Sequence, residues 1–290
     1  MHKINISIVG CGYIGKKVAS KLLSMGESVN GYVHSQGSKD ICEDMGIHAD
    51  LLELDNSDFS NEWQVKSNNV IAYFAPPPPQ GIIDTRMTSF IATLKHLESI
   101  PDKTVLISTT GIYGDCQGEW IDEERCVNPQ ADRAHRRLSA ENQLQAFCKS
   151  KNIECIIFRV PGIYAKDKLP VKRISSGEPI VSANDSGYTN RIHAEDLSAF
   201  CVEALTKKVQ AGVYNCCDGN PSTMNDYFMR VADVLGLDRP KEISLQQAQK
   251  ELSAGMLSYL AESKRISNKK LLNNFSTKFK YPDLESALQK

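Results

Sequence analysis

The chain has 290 residues, 24% of them charged and 41% hydrophobic, which suits two domains or one large α/β unit with an appended lobe. That composition excludes intrinsic disorder, collagen and a long coiled coil. Lys+Arg number 34 against 35 Asp+Glu with no block of like charges, so nothing marks a nucleic-acid partner and a small-molecule substrate is expected.

Residues 4–9 form a short β-rich run that stops at Gly10, and after Gly15 the spacing becomes helical, with Val18, Ala19, Leu22 and Leu23 before Gly26. Residues 28–33 read as a second strand and residues 49–54 as a third, ending at Asp55. A fourth, 69–74, runs into Pro76 to Pro79, where proline without an amide donor cannot continue a central strand. A helix over 85–99, with Met87, Phe90, Ile91, Leu94 and Leu97 at 3-4 spacing, leads to a fifth strand at 104–108. A further helix over 131–150 precedes a sixth strand at 154–160. Strands alternating with helices of this length imply an α/β fold, a doubly wound parallel sheet that binds its ligand at the strands' carboxyl ends. Beyond residue 160 the pattern loosens, apart from a helix near 195–206 and a strand at 212–216. The expected division is a dinucleotide-binding domain over 1–160, completed by 188–213, with a small discontinuous lobe from 161–187 and 214–290.

The nine cysteines are odd in number, scattered and without a C-x-x-C pair, so reduced thiols in a cytoplasmic protein are expected. Only three residues precede the first apolar run, and no run nears the roughly 18 residues that cross a bilayer, so neither an export signal nor a membrane segment is expected. No metal site is expected: His193 has no second ligand-type residue at ligand spacing.

Gly10-Cys11-Gly12-Tyr13-Ile14-Gly15 is a G-x-G-x-x-G directly after a strand and opening a helix. In that context Gly10 permits the tight turn, Gly12 lets backbone approach a pyrophosphate, and Gly15 lets the helix pack closely. The acid that would bind the NAD ribose at the end of the second strand is missing; His34, Ser35 and Lys39 stand there instead and are compatible with a phosphate. NADP(H) is therefore preferred, with NAD(H) the alternative if these are ordinary loop residues.

With the glycine turn, three further segments carry a resemblance: Ser108-Thr109-Thr110-Gly111-Ile112-Tyr113-Gly114, Arg159-Val160-Pro161-Gly162-Ile163-Tyr164 and Arg191-Ile192-His193-Ala194-Glu195-Asp196-Leu197. They look like S-S-x-x-V-Y-G, R-x-x-x-x-Y and I-H-V-x-D-L, and the chain resembles the extended short-chain dehydrogenase/reductases, or NAD-dependent epimerase/dehydratases, over nearly its whole length. The resemblance implies a Rossmann-like domain, Asp55 beside the adenine, Ala75 and Pro76 lining the cofactor cleft, Pro161 bordering the nicotinamide, a structural turn at His193 and a homodimer.

It also implies a catalytic Ser or Thr, a Tyr, and a Lys four residues later. Thr109 falls at the first position, but aligning Arg137 to Glu141 with the family's K-x-x-x-E places Arg137 at the lysine and Arg133 at the tyrosine. The Tyr-x-x-x-Lys pair is missing. Arginine stays protonated, so Arg133 cannot transfer the proton, although it could bind a carboxylate or phosphate. His135 lies about 200° round the helix from Arg133. Tyr113 is the better candidate donor, with packing at the mouth of the site as the alternative. Arg133, Arg136, Arg137 and Glu141 share a helical face, either as an anion-binding wall with Arg137 on the cofactor ribose or with Arg137 and Glu141 as a surface ion pair. Asp122, Glu123 and Glu124 read as a solvated loop. The lobe offers cations and aromatics to a substrate: Tyr164, Lys168, Lys172, Arg173, Tyr188 and Arg191. Two functions remain open: an NADP(H)-dependent oxidoreductase or epimerase of a small polar metabolite, with Thr109 orienting the substrate oxygen, and a catalytically inactive dinucleotide-binding sensor or scaffold.

Overall fold

The computed structural model describes residues 4–55, 70–96 and 100–288. Asn69, expected to open the fourth strand, and residues 97–99, expected to close the third helix, lie outside the described residues.

Seven strands form one parallel sheet: β1 (Asn5–Val9), β2 (Ser28–Val33), β3 (His48–Leu51), β4 (Val70–Tyr73), β5 (Lys103–Thr109), β6 (Glu154–Val160) and β7 (Gly212–Asn215). Their order across the sheet is β7-β6-β5-β4-β1-β2-β3. The order reverses between β1 and β4, and the carboxyl ends there make the crevice where such sheets take ligands. The strands contribute apolar side chains to a core on each face, because both faces are covered. One face is packed by α1 (Tyr13–Ser24) and by α5 (Ala194–Thr206), around Ile6, Ile8, Val18, Leu22, Phe158 and Phe200. Lys17 and Lys21 of α1 both grip Glu195 of α5 at 2.8 Å. The other face is packed by α3 (Thr85–Lys95) and α4 (Asp132–Lys151), around Met87, Phe90, Leu94, Leu144 and Phe147. The short α2 (Gln36–Asp44) joins β2 to β3. No helix among the described residues is long and apolar enough to cross a membrane.

The smaller lobe is tied together by two-stranded pairings, Gly162–Tyr164 with Arg191–His193 and Tyr188–Thr189 with Ser222–Thr223. Its own core gathers Tyr164, Ile174, Ile180, Val231 and Leu284, with Phe228 from α6 (Met224–Leu235). The chain does not stay in the lobe from 214 onward. Leu271 and Phe275 return to the core of the sheet, where the Phe275 ring lies 5.5 Å from Phe158 and 5.2 Å from Tyr214. The carboxylate of Glu203 on α5 fastens this return by accepting from the backbone N–H groups of Ser276 and Thr277.

Candidate active site

The turn after β1 has the geometry that its glycines dictate. Gly10 has φ +85°, and a Cβ there would stand 2.3 Å from the Ala75 nitrogen, so no other residue fits. Gly12 caps α1 without any side-chain partner for the first N–H groups, and its own Cβ direction is open to 4.0 Å. An uncapped helix start with open backbone in front of it suits a pyrophosphate, so the residues present fit a dinucleotide. Cys11 and Ile14 turn into the core, whereas the Tyr13 hydroxyl donates to Asp167 at 2.7 Å and clasps the turn to the lobe.

The adenosine end differs from the loop pictured in the sequence. Ser35 is the N-cap of α2, accepting from the Ser38 N–H, and Lys39 lies on that helix 3.7 Å from Glu43. His34 Nε2 stands 3.8 Å from the carboxylate of Glu53, which comes from beyond β3. Asp55 is bridged to Arg86, and this guanidinium holds its carboxyl below the usual carboxylate range. His34, Glu53 and Asp55 bring potential ligand atoms within 4.8 Å of one another, but the Asp55 carboxylate is already bonded to Arg86.

A cavity of about 630 Å³, where the sequence places the nicotinamide, lies between the sheet's carboxyl edge and the lobe. It brings together Thr109, Arg133, Arg137 and Pro161. Pro77 lines this cavity, whereas the Pro76 carbonyl accepts from Arg86 at 3.1 Å and the Ala75 carbonyl accepts from Arg137 at 3.1 Å. Thr109 ends β5, and its hydroxyl accepts from the Gly111 N–H at 3.1 Å.

Tyr113 does not reach the cavity. It is 1% exposed; its hydroxyl donates to Asn215 Oδ1 at 2.8 Å and accepts from Arg159 at 3.0 Å, and burial pushes its pKa up to about 12. A phenol so held cannot serve as the proton donor, and packing is its role. The surface ion pair of Arg137 with Glu141, one of the two alternatives, does not form: Glu141 is buried and bonds Arg159 of β6 at 2.9 Å. Arg136 turns away to the Gly81 carbonyl, so the expected arginine wall reduces to Arg133 and Arg137. His135 is exposed, and Glu123 accepts from the Asn215 N–H. His193 caps α5 by accepting from the Glu195 N–H at 3.2 Å, with its ring against Tyr281.

The charged residues of the cavity wall are mostly cations. Arg133, Arg137, Lys168, Arg173, Arg191 and Lys264 face one carboxylate, Glu262, which is itself 2.5 Å from Lys264. Arg137 and Arg191 have no carboxylate within ion-pair reach among the described residues. Arg191 is 6% exposed and is held by the hydroxyls of Ser222 and Thr189 at 2.8 Å. Burial pulls the pKa of both guanidiniums below the usual arginine value. A buried unpaired cation is costly, and an incoming anion relieves it. Met256, Tyr259, Glu262 and Lys264, near the end of the chain, were not singled out in the sequence, where no motif or periodicity marks them.

Residues 6–217 match the NAD dependent epimerase/dehydratase family. The protein YeeZ of Escherichia coli (strain K12) is 24% identical over 291 residues, covering 96% of each chain. Among solved structures, a functionally unknown conserved protein from Silicibacter pomeroyi superposes with a TM-score of 0.82 at 23% identity, covering 99% of this chain and 97% of that one. UDP-glucuronic acid 4-epimerase from Bacillus cereus, in complex with NAD, superposes with a TM-score of 0.77 at 17% identity, covering 99% and 96%.

Proposed function

Because the chain belongs to the NAD-dependent epimerase/dehydratase family, we propose that it is a nicotinamide-dinucleotide-dependent oxidoreductase or epimerase of a small anionic metabolite. The observation that carries this reading is the cavity lined by Thr109 together with Arg137 and Arg191, two cations with no carboxylate in ion-pair reach among the described residues. When bound, the dinucleotide supplies or accepts the hydride. The glycine turn would hold its pyrophosphate, Arg137 would face its ribose, and Thr109 Oγ1 would orient the substrate oxygen while Arg191 fixes the substrate's anionic group. His34, Ser35 and Lys39 support the phosphorylated cofactor; Glu53, placed beside His34, supports NAD(H). A cytoplasmic protein that works as a homodimer completes the proposal.

Arginines at both the tyrosine and lysine positions support the second reading, a dinucleotide-binding sensor without turnover. The two readings separate in one experiment. The melting temperature is followed with NAD, NADH, NADP and NADPH, and consumption of the reduced cofactor is then measured with a panel of 2-oxo acids and sugar phosphates. A cofactor at a hundred times its dissociation constant stabilises by about 2.7 kcal/mol, and Gly12→Val should abolish the effect. Stabilisation with turnover of an anionic carbonyl supports the enzyme, stabilisation without turnover supports the sensor, and no stabilisation by any of the four refutes both.

A further inference from the structure

At the cavity that holds Thr109, the residues nearest the family's catalytic positions are not free to carry a proton. Arg133 and Arg137 stay charged, Tyr113 is locked to Asn215 and Arg159, and Lys264 is bonded to the Gly114 carbonyl and to Glu262. We propose that Tyr259, carried into the cavity on the helix Ala254–Leu260, is the catalytic acid and base of this site, the phenol that the Arg133 position has lost.

Contacts lead from the reacting end to this ring. A Cβ at Gly111 would lie 3.5 Å from Thr109 Oγ1 and 3.8 Å from the Ala134 methyl, so Thr109, Gly111 and the first turn of α4 are contiguous. The preceding residue on that turn, Arg133, places its guanidinium 4.2 Å from the centre of the Tyr259 ring and donates to Ser258 Oγ at 2.9 Å. Such stacking and bonding orient the helix toward α4. Arg173, 3.2 Å from the Met256 sulfur, holds the same helix from the lobe side.

Of the other phenols that line the cavity, Tyr164 donates its hydroxyl proton to the Asp283 carbonyl, and the rings of Tyr227 and Tyr188 lie against Arg191 and Arg265, whereas Tyr259 lies against Arg133 of α4, the helix that adjoins Thr109. Tyr259 is 54% exposed, and its hydroxyl makes no hydrogen bond among the described residues, so it can meet both a substrate and water. In reduction, the carbonyl carbon gains the hydride with its electron pair, the carbon–oxygen π bond breaks, and the oxygen takes the proton of Tyr259 Oη. Water then reprotonates the phenolate; oxidation reverses each transfer.

This assignment rests on the function proposed above, and the experiment separates the two. The full-length protein is prepared with 3-fluorotyrosine in place of Tyr259, and its fluorine resonance is recorded with saturating NAD and NADH, or with the phosphorylated pair if that binds. Melting temperatures are measured alongside. A phenol at the reacting end gives a resonance that differs between oxidised and reduced cofactor. If both cofactors raise the melting temperature and the resonance is the same with each, the assignment is overturned while the cofactor site stands; if neither binds, both fall. With any panel substrate that turns over, Tyr259→Phe should lower kcat about 100-fold or more and leave the cofactor dissociation constant unchanged. A Tyr259→Phe rate within twofold of wild type also overturns the assignment.

Discussion

Glu141 of α4 bonds Arg159 of β6 at 2.9 Å, across two elements, and leaves Arg137 on its own helix without a carboxylate in ion-pair reach among the described residues. Both partners are buried, at 1% and 8% exposure. Removing one partner strands the other charge in the core, so Arg159→Met should cost about 3–5 kcal/mol in urea unfolding. Replacing both, as Glu141→Leu with Arg159→Met, should cost less than either single change, because no charge is then left buried. The pair also holds Tyr113 through Arg159, so equal losses in single and double variants would mean that this hydroxyl network, and not the charge, sets the stability.

Arg137 predicts the opposite pattern. Its guanidinium is partly buried and, among the described residues, has only the Ala75 carbonyl as a hydrogen-bond partner. Arg137→Met should leave the urea midpoint unchanged or raise it, while weakening cofactor binding by about tenfold, the loss of one charge-assisted hydrogen bond. A variant that unfolds more readily and binds cofactor normally would make Arg137 a structural residue.

Two glycines of one turn should respond differently to the same methyl group. Gly10→Ala forces a Cβ to within 2.5 Å of the Ala75 backbone at φ +85°, and should destabilise by about 3 kcal/mol or more. Gly12 has φ −84° and nothing nearer than 4.0 Å, so Gly12→Ala should melt within a few degrees of wild type. It should nevertheless lose the stabilisation by dinucleotides, because the methyl occupies the approach of the pyrophosphate. Melting curves with and without cofactor measure both effects.

The sequence revealed most where structure is local. Residues 154–160 read as a strand from Cys155, Ile156, Ile157, Phe158 and Val160, and β6 occupies them from end to end, with Glu154 left exposed and Arg159 buried against Glu141. The glycine turn was equally legible, its residues being adjacent. β3 ends at Leu51 instead of Leu54: the chain leaves the sheet edge after Leu52 bonds the Val33 carbonyl, freeing Glu53 to face His34. Partners far apart in the chain were not legible. The inward turn of Tyr113 depends on Arg159 and Asn215, and the cavity's outer wall comes from Met256 to Lys264, more than 120 residues after Arg133. Neither relationship has a spacing that a periodicity could expose.

Glu53 bears on the choice of cofactor. An acid at the end of β2 is the usual ribose partner in such folds; here the carboxylate at the same edge comes from beyond β3 and stands 3.8 Å from His34. Glu53→Gln removes a charge that would repel a 2'-phosphate, so it should shift the ratio of NADPH to NADH affinity toward NADPH by about tenfold, roughly 1.4 kcal/mol. Titration of both cofactors into wild type and variant reads the ratio directly. An unchanged ratio would place Glu53 outside the ribose site and leave selectivity to His34 and Lys39.

Asp218, just beyond β7, should make the protein less stable as pH rises. It is 8% exposed, and burial pushes its pKa up to about 7, against the partial relief of a hydrogen bond from the Asn220 N–H and the nearby Arg191. Its folded-state pKa lies above its unfolded one, so between about pH 4 and pH 7 the native state holds a proton that the unfolded state has released. Stability from this group is therefore complete below pH 4 and falls as pH rises through 7, by a ceiling of about 4 kcal/mol. Asp84 and Asp196 are displaced in the same direction by burial and add to the slope. Glu195 and Glu203, both lowered to about 2, act in the opposite sense and only below about pH 4.5. Asp218→Asn keeps an oxygen for the Asn220 N–H and carries no charge. Its melting temperature should fall less than that of wild type between pH 5 and pH 8, and identical slopes would assign the pH dependence to Asp84 and Asp196.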